Sequence, residues 1–225
     1  GFFNLTTAVQ IVDDNRFEKE YEVLTNTIKT LLEDKASDRQ SSNTIKLIYT
    51  EGLNAEGYEL YVKPTVIVIA ASTPAGMFYG IQSLKSLIPP TAWASPQKKI
   101  KIPCVEIRDE PRFAYRAFMS DVGRNFQTKK QILKVLDLLA FYKINTFHFH
   151  LTEDEGWRLE IPSLPELTAV GSQRGHTLDG KQFLPAAHGS GPETGNLPGR
   201  GFYTRADYIE ILKYATERHI TVLTE

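Results

Sequence analysis

"YRAFMSDVGRNFQTKKQILKVLDLLAFYKINTFHFHLTEDEGWRLEIP", residues 115–162, changes its hydrophobic period twice. YRAFMSDVGR reads as a short strand ending in polar residues. TKKQILKVLDLLAFYK then predicts a helix, because Ile132, Leu133, Leu136, Leu139 and Ala140 share one helical face and Thr128 is suited to cap the first turn. In INTFHFHL the period falls to two, which sends Thr146, His148 and His150 to one side of a strand and Phe147, Phe149 and Leu151 to the other. Further on, TRADYIEILKYATERH (204–219) predicts a second helix capped by Thr204, and ITVLTE (220–225) a third strand. Strand, helix, strand, helix, strand is the pattern of a parallel α/β sheet.

Two architectures share that pattern. A doubly wound sheet commonly follows its first strand with a glycine-rich phosphate loop, whereas SDVGRNF has a single glycine. A (β/α)8 barrel is therefore favoured. A whole barrel needs about eight strands and roughly 250 residues, so the expectation is an incomplete one, represented by its first three strands over 111–225.

The segment before it has a different organisation. Between Arg16 and Lys35, apolar Phe17, Tyr21, Leu24, Ile28, Leu31 and Leu32 predict one helix. TIKLIYT (44–50), GYELYV (57–62) and TVIVIAA (65–71) read as neighbouring strands. STPAGMFYGIQSLKSLIPP (72–90) predicts a second helix, with Ser72 or Thr73 as its cap, Pro74 in the first turn and Pro89–Pro90 as its stop. KIPCVEIRDEPRF leads out. Residues 1–110 are thus expected to form a small N-terminal α/β domain.

With 41% hydrophobic and 24% charged residues and a net charge of −1, the chain falls among soluble globular proteins rather than disordered or collagen-like ones. No Lys/Arg cluster offers a phosphate-binding patch, so no nucleic-acid partner is expected. No run of about 18 apolar residues suggests a membrane span, and GFFNLTTAV lacks the build of a signal peptide. Cys104, the one cysteine, reads as a small buried hydrophobe.

The chemistry-bearing residues gather at the ends of the predicted strands. His148 and His150, at i and i+2, form a recognisable pair of metal ligands or, alternatively, a pair of hydrogen-bonded lining histidines. Nothing else in the sequence evidently completes a metal site; His176, His188 and His219 lie elsewhere. Glu153, Asp154 and Glu155 follow the second strand, at what would be the C-terminal mouth of a barrel, where barrel enzymes place their chemistry. Arg124 ends the first strand, three residues after Asp121. Its fixed donors suit vicinal hydroxyls or a carboxylate, and it could equally brace the loop through Asp121 or Glu153. Trp157 and Arg158 could line a pocket, with Trp157 better suited to anchoring the loop. Residues 171–203 hold about half of the chain's glycines and read as a long loop over the same mouth.

YRAFMSDVGRNF and ILKVLDLLAFYKINTFHFHLTEDEGWRLEIPSLPELTAVGSQRG resemble the opening of the catalytic barrel of family 20 glycoside hydrolases, the β-N-acetylhexosaminidases. ASTPAGMFYGIQSLKSLI and VEIRDEPRF resemble the end of the small domain that precedes that barrel. The resemblance implies retaining hydrolysis of terminal β-linked N-acetylhexosamine in glycans, with the substrate's 2-acetamido oxygen as nucleophile and no metal or other cofactor. It implies that Arg124 holds sugar hydroxyls and that Glu153 stands at the family's first Asp in HLTDDQGWR, one methylene longer. Asp154, Trp157 and Arg158 match the rest of the motif, Glu155 replaces its glutamine, and Asp121, Glu153, Asp154, His150 and Trp157 are expected to support the site. A periplasmic or secreted location would suit such a role. The catalytic Asp–Glu pair is expected beyond Glu225, which makes the chain a truncated piece without turnover of its own and with a barrel edge open to self-association. The rival expectations are a metal-dependent barrel hydrolase using His148 and His150, and a noncatalytic glycan-binding module.

Overall fold

A computed structural model describes residues 1–33, 43–154, 156–174 and 199–225, in two compact units, Gly1–Ala114 and Tyr115–Glu225. In unit 1 the elements run β1 (Phe2–Leu5), β2 (Gln10–Asp13), α1 (Glu18–Leu31), β3 (Thr44–Tyr49), β4 (Tyr58–Val62), β5 (Val66–Ala71), α2 (Pro74–Ser86), α3 (Pro90–Ala94), β6 (Ile100–Pro103) and β7 (Val105–Asp109). β2, β3 and β5 are parallel, and β4 lies antiparallel between β5 and β7, giving the order β2-β3-β5-β4-β7. β1 pairs separately with β6.

The alternation expected of these strands is present: Ile45 and Leu47 on β3, Leu60 on β4, and Ile67 and Ile69 on β5 are fully buried. α2 packs on β4 and β5 and is buried continuously from Gly76 to Leu84, as a helix held within a core must be. The approach is close enough that a Cβ on Gly80 would stand 2.4 Å from Ile69 Cγ2. Thr73, rather than Ser72, caps α2 by accepting from the Gly76 amide.

Three expectations change here. The first helix is shorter than the periodicity suggested, at Glu18–Leu31. The three expected neighbouring strands do lie side by side, and what changes is their order, with β5 between β3 and β4. Cys104 is half-buried, because it sits between β6 and β7 rather than inside a strand.

Unit 2 continues with β8 (Ala117–Asp121), α4 (Lys129–Phe141), β9 (Thr146–His150), the hairpin β10 (Thr152–Glu153) and β11 (Gly156–Trp157), α5 (Glu166–Gly171), α6 (Arg205–Thr216) and β12 (Thr221–Thr224). The sheet is parallel throughout, in the order β12-β9-β8. Both main helices start on a capping box, Thr128 with Gln131 and Thr204 with Asp207, each satisfying amides that the first turn leaves without helical partners. On β9 and just after it, Phe147, Phe149 and Leu151 are fully buried, whereas His148 and His150 are partly open. Phe149 packs against Phe147 and Tyr203, with ring centroids 4.9 and 5.3 Å apart. No helix among the described residues is long and apolar enough to cross a membrane.

Candidate active site

Strand register assembles the site. In the parallel ladder Asp121 on β8 is paired with His150 on β9, and Met119 with His148. On the other side Leu223 of β12 is paired with His148, so Glu225, two residues on, comes level with His150. The Glu225 amide donates to the Phe149 carbonyl at 3.1 Å, and the Leu151 amide donates to the Glu225 carbonyl at 2.7 Å. Paired residues of a sheet share a face, which brings Asp121, His150 and Glu225 into one row at the ends of three strands.

Side-chain contacts run along and out of that row. Glu225 Oε2 lies 2.6 Å from His148 Nε2 and 2.8 Å from His150 Nδ1. The other His150 ring nitrogen, Nε2, lies 3.3 Å from Glu153 Oε2. Glu153 Oε1 pairs with Arg124 Nη2 at 2.9 Å, and Arg124 Nη1 pairs with Asp121 Oδ2 at 2.5 Å. The Arg124 amide also donates to Asp121 Oδ1 at 3.0 Å. Arg124 thus ion-pairs with Asp121 and Glu153 together, while its side chain stays 50% exposed.

These contacts set the electrostatics. The hydrogen bond to Glu225 raises the His150 pKa against the lowering effect of burial, with Asp121 and Glu153 adding to the rise. Glu225 is held below the ordinary carboxylate range by His150 and then His148. At Asp121 burial acts upward, but the hydrogen bonds from Arg124 and the nearby His150 outweigh it, and the net shift is downward.

Glu225 corrects the expectation that nothing completes the histidine pair: one ligand atom from each of His148, His150 and Glu225 falls within 4.8 Å of the others. The 2.6 and 2.8 Å contacts within the trio are of hydrogen-bond length, and two imidazoles with a carboxylate are also a donor set that zinc takes. His219, at φ 55°, sits in the turn after α6 and is not part of the trio. Glu155, His176 and His188 lie outside the described residues.

Arg158 requires a second correction, since it lines no pocket. It is fully buried and donates to five backbone carbonyls. Nε reaches Val122 at 2.9 Å and Gly123 at 3.2 Å; Nη1 reaches Ser172 at 3.0 Å and Gly201 at 3.1 Å; Nη2 reaches Gly123 and Gly199, each at 3.0 Å. Buried Arg174 also donates to Gly123, at 3.1 Å. Burial first, and then the neighbouring Arg174 charge, lower the Arg158 pKa to about 10, so the guanidinium stays charged at neutral pH. Gly156 lets the loops meet there, because a Cβ on it would stand 2.5 Å from the Gly123 carbonyl oxygen. The residue before Arg124 is therefore clamped from the interior of the unit.

Trp157 donates from Nε1 to the Leu159 carbonyl at 2.6 Å. It borders an open cleft of about 460 Å³ together with Glu153, Asp154, Leu164, Leu167 and Val170, combining the anchoring role with a lining one. A larger cavity of about 850 Å³ in unit 1 is bordered mainly by apolar side chains such as Val9, Ile11, Ile28 and Leu32, and its lining holds no histidine for acid–base work.

Comparison with known proteins matches both units. Residues 1–110 match the model of glycosyl hydrolase family 20, domain 2, and residues 113–225 that of the family's catalytic domain. A β-hexosaminidase of Vibrio vulnificus is 40% identical over 223 residues, covering 99% of this chain and 25% of the relative. An N,N'-diacetylchitobiase of Vibrio harveyi is 49% identical over 168 residues, 75% of this chain and 18% of the relative. The chain thus spans a quarter or less of these two relatives. A solved Streptomyces plicatus β-hexosaminidase mutant in complex with product (GlcNAc) aligns with a TM-score of 0.78 at 31% identity, over 100% of this chain and 42% of that one.

Proposed function

The chain belongs to glycosyl hydrolase family 20, and from that premise we propose that the protein carrying it is a retaining exo-β-N-acetylhexosaminidase acting on terminal β-linked N-acetylglucosamine or N-acetylgalactosamine in glycans. β8, β9 and β12 open the (β/α)8 barrel of the family's catalytic domain, and the α/β unit before them is its domain 2. In the proposed reaction the substrate's acetamido oxygen attacks the anomeric carbon as the glycosidic C–O bond breaks and the leaving oxygen gains a proton. Water then opens the cyclic intermediate with overall retention.

The observation that carries the reading is the presentation of Arg124. Two carboxylates hold its fork in one orientation at the end of a barrel strand, and half of the side chain remains open. A guanidinium so fixed can donate to adjacent sugar hydroxyls without first losing rotamer freedom. In this reading Arg124 binds the sugar, Asp121 and Glu153 aim it, Asp154 and Trp157 border the cleft, and acid–base chemistry is assigned to none of them.

The full-length protein should hydrolyse 4-nitrophenyl N-acetyl-β-D-glucosaminide and leave the matching β-glucoside, which lacks the acetamido nucleophile, at background. Equal turnover of both would refute the proposal. Arg124→Lys, which keeps the charge and loses the fork, should raise KM by about tenfold or more. The trio of His148, His150 and Glu225 supports one rival, a metal hydrolase; activity lost on dialysis against a chelator and restored by zinc would favour it.

A further inference from the structure

Glu153 is held at both oxygens. Oε1 faces Arg124 at 2.9 Å and Oε2 faces His150 at 3.3 Å. His150 is in turn held at its other ring nitrogen, with Nδ1 2.8 Å from Glu225, whose same oxygen lies 2.6 Å from His148. Exposure rises along the series, from 14% for the His150 side chain through 23% for Glu153 to 50% for Arg124. The histidine is thus the least exposed of the three and the arginine the most open, and Glu225, which meets the histidine at its other nitrogen, is itself 57% exposed.

A glutamate on a two-residue strand has three side-chain torsions to settle. Paired with a half-exposed arginine alone, it would give a surface ion pair of little orienting power. The second contact changes this, because a ring anchored in the sheet fixes one oxygen and so directs the other. We infer that His150 is a positioning residue for sugar binding, acting through Glu153 to aim Arg124, with Glu225 setting the orientation of the imidazole ring. This rests on the reading of Arg124 given above. It also assigns a use to the extra methylene of Glu153: the longer side chain spans from ring to guanidinium, and an aspartate would reach only one of them.

The test uses the full-length protein. His150→Phe keeps an aromatic ring and donates nothing, whereas His150→Gln keeps a donor. His150→Phe should raise KM for the aryl N-acetylglucosaminide about tenfold, the worth of one charge-assisted hydrogen bond, with a smaller change in kcat, and His150→Gln should recover part of the loss. The preference for this substrate over one lacking a ring hydroxyl should shrink in His150→Phe, and its effect should be much less than additive with that of Arg124→Lys. Unchanged KM, unchanged preference or additive effects would each overturn the inference. If His150→Phe does not fold, Glu153→Asp reads the same bridge from its other end, with the same expected KM rise. If the wild-type protein turns over no N-acetylglucosaminide, the functional reading fails, and crystal structures of wild type and Glu153→Asp still decide the bridge. An Arg124 fork that leaves its wild-type position supports it, and one that stays in place overturns it.

Discussion

Arg158 and Glu225 show why single residues resist being read from sequence. The arginine is in plain view beside Trp157, but its partners are backbone oxygens of Val122, Gly123, Ser172, Gly199 and Gly201, and a carbonyl acceptor leaves no mark in residue identity. Glu225 joins His150 only through the register of β12 on β9, which pairs residues about 75 positions apart. Asp121, Arg124 and Glu153 could be grouped from the sequence because they end β8 or come within three residues of the ends of β8 and β9, and strand ends meet at a barrel mouth. The carbonyl cluster makes a sharp prediction. A lysine offers three donors from one point and cannot reach five acceptors around a plane, so Arg158→Lys leaves buried carbonyls unpaired. It should cost about 2–4 kcal/mol of unit 2 stability, read as a lower urea midpoint in Trp157 fluorescence with Trp93 replaced by Phe. A midpoint equal to that of the matching Arg158 protein would show that the cluster contributes little.

Among the elements, those specified locally were the ones predicted. α4 and α6 begin on the threonines expected, because cap, first-turn partner and apolar face all lie within a few residues. β1, β6 and β7 have only four or five residues each, and partners nearly a hundred positions away for the first two and more than forty for the third, so the residues around them carried no local signal. α4 and α6 are also tied at their starts: Lys129 Nζ lies 2.7 Å from Asp207 and 2.7 Å from Glu210. The Lys129 contact, and then the Thr204 hydroxyl, hold Asp207 below its ordinary 3.8. A carboxyl depressed in the folded state adds stability that is present above its unfolded pKa and is lost as pH falls through the folded value. Thermal stability should therefore decline below pH about 4, and Lys129→Met should flatten that decline. Identical acid limbs in both proteins would contradict the assignment.

For the molecule as a whole, the barrel sheet leaves apolar side chains in contact with water. Phe118 and Met119 on β8 are 46% and 53% exposed, and Leu223 on β12 is 44% exposed. Strands with exposed apolar side chains recruit further surface. The 225-residue polypeptide produced alone should self-associate in a concentration-dependent way, and light scattering at the monomer mass across the micromolar range would rule this out. The overall architecture was legible because the βαβαβ alternation is a long-period signal, whereas strand order within unit 1 was not, since equally apolar strands give no preference for one neighbour over another. The carbonyls held by Arg158 also have a bearing on how such a protein tolerates change. Arg174 and Gly199 bound a stretch of 24 residues in the sequence, and the backbone on both sides is fastened to a buried cation at Ser172, Gly199 and Gly201. Substitution of that one side chain therefore releases Gly123, Ser172, Gly199 and Gly201 together, so that a change at a position with no exposed surface unfastens backbone at three separate places in the sequence.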